Sequence, residues 1–375
     1  MNGGERPMNG GERPLNGGER PLNGGERPLH GPQLPVVSGA PVERETAGVM
    51  RDAFNRRIEY LRISVTDKCN LRCVYCMPEH GLPWLRKDDL LTYEEIAEVV
   101  RCMAGMGLRR VRLTGGEPLV RQDLPVLVRM LKAIPGIEDI ALSTNAVLLA
   151  ECAQELRAAG VNRLNISLDS LRPERVDAIA RRQGSFERIM RGIAAAEAAG
   201  FEPLKLNAVI MRGRNDDEVE TFAAATMDHP WHVRFIEVMP VGDNLDISAN
   251  EFVSALEMLE RIRALGRLEP VDGPQGNGPA TYFRLPGARG TIGVITPMSH
   301  NYCDRCNRMR LTADGQLRPC LFGSIQTDLR GPLRRGEELE PHVLHTLAIK
   351  PERHWLVQGA ESGSGGLRAL SQVGG

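Results

Sequence analysis

The sequence has few aromatics, no long apolar run and almost no net charge. Phe, Trp and Tyr make up 4% of the 375 residues, and 47 Lys and Arg nearly balance 48 Asp and Glu. That balance excludes a global electrostatic pull towards nucleic acid or an anionic membrane, while leaving room for a local basic pocket. The shortage of aromatics argues against the stacking platform used by single-stranded nucleic-acid binders. No stretch reaches membrane-spanning length, and the amino terminus is polar and glycine-rich without a signal-peptide core. The expectation is a cytoplasmic protein with neither membrane nor nucleic acid as partner.

Cysteine is also sparse. Eight in the chain are too few for a disulfide scaffold. They are unevenly placed, with one group at Cys69, Cys73 and Cys76 and a second at Cys303, Cys306 and Cys320. Clusters of this kind read as metal ligation before disulfides. Cys102 and Cys152 stand alone inside expected helices and read as buried small apolar residues.

Residues 1–28 are four near-copies of one heptad, MNGGERP or LNGGERP. Each copy holds one apolar residue, two glycines and a proline, so no helical seam forms. Residues 1–50 are expected to be a disordered tail. From about residue 58, short β-type runs alternate with helical stretches: YLRISV, RRVRLT, DIALST, RLNISL, LKLNAVI and VRFIEV. Between the first two, Thr92 and Glu95 form a capping box, and Ile96, Val99, Val100 and Met103 share one helical face. DLPVLVRMLKAI and SFERIMRGIAAAEAAG supply similar helices. Six strand–helix units imply a parallel sheet with right-handed crossovers, either a partial barrel or a doubly wound sheet. TGGEP, STN, SLD and EVMP follow the second, third, fourth and sixth strands, so polar residues collect at the carboxyl ends, where α/β folds place their sites. Later come a helix in EFVSALEMLERIRAL, β-type runs ATYFRLP and GTIGVIT, and a small-residue end, ESGSGGLRALSQVGG, that reads as flexible.

The first cysteine group has C-x3-C-x2-C spacing and no fourth cysteine. Three thiolates on a loop hold three irons of a 4Fe–4S cluster and leave the fourth iron for a small molecule. Zinc with a remote fourth ligand is the alternative, although zinc sites usually pair C-x2-C knuckles from two places. The second group, CDRCNRMRLTADGQLRPC, is again one ligand short, and a zinc ribbon completed by His300 is its plain alternative. Arg308 and Arg310 within it stand at i and i+2, so in an extended segment both project to one side. Two guanidinium forks beside a metal suit a bound polyanion, against the simpler reading of a solvated basic strand.

With Tyr75 just before its last cysteine, the first group resembles the signature of the radical S-adenosylmethionine (radical SAM) superfamily, and TGGEP resembles that superfamily's second motif. LRISVTDKCNLRCVYCMP, RLTGGEPL, LNISLDSL, RFIEVMPVG, CDRCNRMRLTADGQLRPCL and the terminal GG together resemble the GTP 3′,8-cyclases of molybdenum-cofactor biosynthesis, over residues 55–375. The resemblance implies an incomplete (βα)6 TIM-type barrel at 55–245, a region at 246–340 carrying an auxiliary cluster, and a tail at 341–375. It implies two 4Fe–4S clusters, held by Cys69, Cys73 and Cys76 and by Cys303, Cys306 and Cys320. Tyr75, Gly116, Ser167 and Met239 would line the S-adenosylmethionine site. Arg62, Arg112, Ser143, Lys205, Arg308 and Arg310 would meet GTP, and Gly374 and Gly375 would reach back into the active site.

The implied reaction converts GTP to (8S)-3′,8-cyclo-7,8-dihydro-GTP through a 5′-deoxyadenosyl radical. The implied partners are an electron donor of unknown identity and a downstream cyclic pyranopterin monophosphate synthase, with the enzyme a monomer or homodimer. Two departures stand out. The family's TTNG reads STNA, which puts Ala146 at a glycine position and is expected to reshape that turn slightly, and the repetitive amino-terminal tail has no counterpart. Two rivals are weighed against this reading. A peptide-maturing radical SAM enzyme should carry more carboxy-terminal cysteines and no R-x-R insert, and a zinc-bearing nucleic-acid module fits poorly with the composition.

Overall fold

The structure, a computed structural model, describes residues 48–239, 250–274, 278–354 and 368–374. The heptad repeats and Gly375 lie outside the described residues. Six parallel strands, β1 (Tyr60–Ser64), β2 (Arg110–Thr114), β3 (Asp139–Thr144), β4 (Arg163–Ser167), β5 (Lys205–Ile210) and β6 (His232–Glu237), pair in chain order. A doubly wound sheet reverses its strand order at a switch point. The uninterrupted order here selects the barrel type that periodicity left open.

Later strands extend both sides. β10 (Arg308–Leu311) runs parallel to β1 and β9 (Thr291–Ile295) parallel to β6. β11 (Gln316–Arg318) and β12 (Thr327–Asp328) continue antiparallel beyond β10, and β8 (Thr281–Arg284) and β7 (Glu269–Val271) beyond β9. β12 and β7 end the sheet without pairing to each other, so the barrel is incomplete.

Alternation within the strands builds two environments. Leu61, Ile63, Val111, Leu113, Ile140, Leu142, Ile166, Leu206, Val233 and Phe235 all join the main hydrophobic core. Each such side chain contributes roughly 1.5–3 kcal/mol on burial. The intervening residues, among them Arg62, Arg112, Ser143, Asn165, Lys205 and Arg234, are left to the concave interior. On the helix Tyr93–Gly105 the capping box is formed, and Ile96, Val99, Val100 and Met103 are buried as the pattern requires. Further helices are Leu124–Lys132 and Ser185–Ala198, as read from sequence, and Pro173–Ala180, which apolar periodicity did not single out.

Several local expectations change. Cys152 precedes the helix Ala153–Ala159 instead of lying within it, and both lone cysteines are only partly buried against the core. The helix in EFVSALEMLERIRAL is Ala255–Arg263, started by Ser254 Oγ accepting from the Glu257 N–H. The stretch read as a tail from residue 341 opens inside a helix, Glu340–Ala348. The end read as flexible carries the short helix Leu370–Val373, with Leu370, Ser371 and Val373 buried. Ala146 holds φ at 61°, a left-handed conformation that glycine adopts more cheaply, so the turn is kept at a cost of about 1–2 kcal/mol.

Candidate functional site

The first cysteine loop follows β1 directly and is tied down along its length. Arg72 and Val74 N–H donate to the Ala180 and Ile179 carbonyls, and Arg181 and Arg182 donate to the Met77 and Asn70 carbonyls. Leu71 N–H and Asn145 Nδ2 both donate to Cys69 Sγ, at 3.4 and 3.9 Å. The TGGEP turn lies against the same loop, with Gly116 N–H on the Thr66 carbonyl and Glu117 N–H on the Lys68 carbonyl, each at 2.9 Å. A Cβ on Gly116 would sit 2.3 Å from the Lys68 carbonyl oxygen. Gly116→Ala should therefore push the turn off the loop and destabilise the protein by roughly 2–4 kcal/mol. Thermal unfolding checks this, and an unchanged melting temperature would show that the contact yields freely.

The two carboxylates facing these thiols are already committed. Asp169 accepts from Tyr75 Oη at 2.8 Å and from Val209 N–H at 2.9 Å. Glu117 accepts from Thr144 Oγ1 and Asn145 N–H, both at 2.7 Å, and from Leu119 N–H at 3.1 Å. Among the described residues, neither carboxylate is left free to act as a fourth ligand. Burial pushes Cys69 up to about 11 and Cys76 up to about 12, and raises Cys73 well above the usual thiol range. Buried thiols of this kind ionise when a cationic group arrives, since metal coordination inverts the local pKa logic. The donor set fits an iron–sulfur cluster with one iron left open.

The second triplet forms where chain reversal brings Cys320 back beside Cys303 and Cys306. β10 and β11 pair antiparallel through Arg310 with Arg318, returning the chain towards Cys306. Burial raises Cys303. Burial also works against ionising Cys306, but Lys350 and Arg308 outweigh it and bring the thiol down to about 7. His300, the candidate fourth zinc ligand, is exposed, and its carbonyl accepts from Thr296 Oγ1. These donors too suit a cluster with three thiolate ligands. Because Tyr60 of β1 pairs with Arg308, Cys306 lies near the amino end of β1 while Cys69 follows its carboxyl end. The triplets thus flank the length of one strand.

Between them the interior is basic. Arg310, Arg62 and Arg112 form one row across β10, β1 and β2. Burial lowers the pKa of Arg62, and the neighbouring Arg310 and Arg112 lower it further. Burial, then Arg308, brings Arg310 down to about 10. Lys205 falls to about 6 through burial and then repulsion from Arg234, Arg163 and Arg112. A cavity of about 320 Å³ opens on Arg112, Arg163, Lys205, Arg234 and Arg305, with Asp272 as its acid. An adjoining one of about 330 Å³ is lined by Tyr302, Arg305, Asn307 and Arg308 among others. Cations packed this closely fit a polyanion, because its negative charge would relieve their mutual repulsion.

The placement of the remaining candidates is mixed. Tyr75, Cys76, Met239 and Cys320 pack around one small apolar cluster of Phe322 and Leu370, which brings parts of both triplets against a shared surface. Ser143 pairs with Asn165, and Ser167 ends β4 opposite Asn207; neither lines the two cavities. Arg62 and Arg310 do not line them either, and Arg310 Nη1 donates to the Val373 carbonyl at 3.2 Å and to the Gly374 carbonyl. Gly374 has φ of 70°, and a Cβ there would meet Thr114 Cγ2 at 2.6 Å, so the chain end is threaded against β2. Arg234 and Arg163 were missed. Arg234 is 3% exposed and donates to Asn165 Oδ1 at 2.7 Å. Its signal was available, because it alternates with Val233 and Phe235 as Arg62 does with Leu61 and Ile63.

The profile of the Radical SAM superfamily matches residues 63–225, and that of Molybdenum Cofactor Synthesis C matches residues 231–356. The crystal structure of Streptococcus suis SuiB bound to S-adenosylmethionine superposes with a TM-score of 0.56, covering 86% of this chain and 74% of that one. At 13% identity, that likeness speaks to the fold alone. Fold and cysteine loop together define a protein of the radical SAM class. The GTP 3′,8-cyclase of Pelotomaculum thermopropionicum is 50% identical over 330 residues, spanning 87% of this chain and 100% of that protein. The GTP 3′,8-cyclase of Moorella thermoacetica is 50% identical over 329 residues with the same coverage. The chain belongs to the GTP 3′,8-cyclase family.

Proposed function

We propose that this chain converts GTP to (8S)-3′,8-cyclo-7,8-dihydro-GTP in the first step of molybdenum-cofactor biosynthesis, with S-adenosylmethionine as cosubstrate. The observation that carries this reading is the row of Arg310, Arg62 and Arg112 on strands flanked by two cysteine triplets, each one ligand short. When bound, the clusters and S-adenosylmethionine would supply radical chemistry beside the first triplet and a metal centre beside the second. Cys69, Cys73 and Cys76 would hold the first cluster, and Cys303, Cys306 and Cys320 the second. Tyr75, Gly116, Ser167 and Met239 position S-adenosylmethionine. Arg62, Arg112, Ser143, Lys205, Arg308 and Arg310 bind GTP, joined by Arg234. Gly374 closes the site beside Thr114 and Arg310. Holding both reactants inside one enclosed interior supplies proximity and keeps water from reactive species. An external donor delivers electrons, and the product passes to cyclic pyranopterin monophosphate synthase.

The decisive assay incubates anaerobically reconstituted protein with S-adenosylmethionine, GTP and reductant. Cyclised nucleotide should appear together with 5′-deoxyadenosine. Formation of 5′-deoxyadenosine without it would reject GTP as the substrate, as the peptide-maturing alternative requires. A colourless protein with stoichiometric zinc would reject the clusters.

Lys205 gives this reading a proton signature. With its ammonium at about 6 in the free protein, it is mostly neutral above that pH. GTP brings roughly four negative charges, which favour the protonated form. Binding near pH 7.5 should therefore take up close to one proton per GTP at this side chain, and affinity should weaken as pH rises. Calorimetry in buffers of different ionisation enthalpy reads the uptake, and Lys205→Met should remove it. Equal uptake in that variant would assign the proton elsewhere.

A further inference from the structure

Lys350 lies just beyond the helix Glu340–Ala348, in a segment that no motif singled out. It is 3% exposed. Its Nζ donates to Cys306 Sγ at 3.5 Å, to the Arg308 carbonyl at 3.1 Å and to the Pro319 carbonyl at 2.5 Å. An ammonium has three donors, and these acceptors use all of them. The acceptors come from both arms of the second triplet: Cys306 itself, the first residue of β10, and the residue before Cys320. None is a carboxylate.

A buried ammonium set against neutral carbonyls is costly unless negative charge lies close by. Of its three acceptors, only the Cys306 sulfur can carry that charge. Arg56 approaches from another side, its Nη1 donating to the Cys303 carbonyl at 2.7 Å, but Asp52 already neutralises it at 2.6 Å. Arg308 also faces Cys306, yet it lines the neighbouring cavity, where an anionic substrate would compete for it. Lys350 is therefore the cation committed to the triplet.

We propose that Lys350 is a positioning residue for the second cluster, tying its two ligand arms together and raising its reduction potential. The inference rests on the reading that Cys303, Cys306 and Cys320 hold a 4Fe–4S cluster. One-electron reduction adds one negative charge beside the ammonium, so the reduced state gains more from Lys350 than the oxidised state does. Hydrogen bonds and charge near cluster sulfurs are general determinants of potential.

The test uses the full chain with Cys69, Cys73 and Cys76 replaced by alanine, so that only the second cluster is present. Iron and sulfide are counted, and the cluster is titrated against poised potential by electron paramagnetic resonance. Lys350→Gln should lower the reduction equilibrium constant about tenfold or more, which is about 59 mV for one electron. Lys350→Arg, which keeps the charge, should stay within about threefold of the parent. Loss of iron in Lys350→Gln but not in Lys350→Arg would support the same role. An unchanged or higher midpoint in Lys350→Gln, or Lys350→Arg behaving like Lys350→Gln, would overturn it. A parent protein without iron would instead reject the cluster reading itself.

Discussion

Replacing Cys69, Cys73 and Cys76 with alanine leaves a folded protein that retains about half of its iron and forms no 5′-deoxyadenosine. The expectation follows from the way the loop is built. Its backbone is stapled to the Ile179–Arg182 segment and to the TGGEP turn through hydrogen bonds that do not involve the thiols of Cys73 or Cys76. Cys69 and Cys73 only border the main core as partly buried side chains, while Leu71, left unchanged, is the loop residue that enters it. Removing the sulfurs therefore strips the ligands without opening the fold. Turnover should fall by at least about a thousandfold, or ~4 kcal/mol and more of transition-state stabilisation. Iron content, 5′-deoxyadenosine by chromatography and the far-ultraviolet spectrum measure the three parts separately. Persistent cleavage of S-adenosylmethionine would move the reaction away from this loop.

Arg310→Ala should be nearly as damaging, for two reasons that the structure couples. Arg310 stands in the cationic row with Arg62 and Arg112, and its guanidinium also grips the Val373 and Gly374 carbonyls. Alanine removes one charge from the row and releases the chain end from β2. Truncating a buried, hydrogen-bonded charge typically costs 2–5 kcal/mol, so GTP affinity should drop by about 100-fold. Equilibrium binding of GTP to the reconstituted protein reads the first effect. Protease sensitivity of the last residues reads the second. Wild-type affinity in Arg310→Ala would confine this residue to holding the terminus.

Much of this protein is legible from sequence because its signals are local. The capping box at Thr92, the alternation that isolates Arg62 between Leu61 and Ile63, and the spacing of each cysteine triplet depend on residues only a few positions apart. Such patterns survive without knowledge of the fold, and the same rule would have found Arg234. The burial of Leu370–Val373 was not legible, since a glycine- and serine-rich end looks the same whether free or threaded. Its order comes from partners far away in sequence: Arg310, Thr114 and Phe322.

The sequence alone determined the two incomplete ligand sets, the polar residues at strand ends and the parallel strand–helix repeat. Each is a matter of side-chain type and short-range period. The tertiary structure decided the strand order that makes a partial barrel, the placing of the triplets about β1, and the convergence of Lys350 on both arms of the second one. These depend on which distant segments pair, and pairing is set by the summed burial of whole strands and helices, which no single stretch of chain contains.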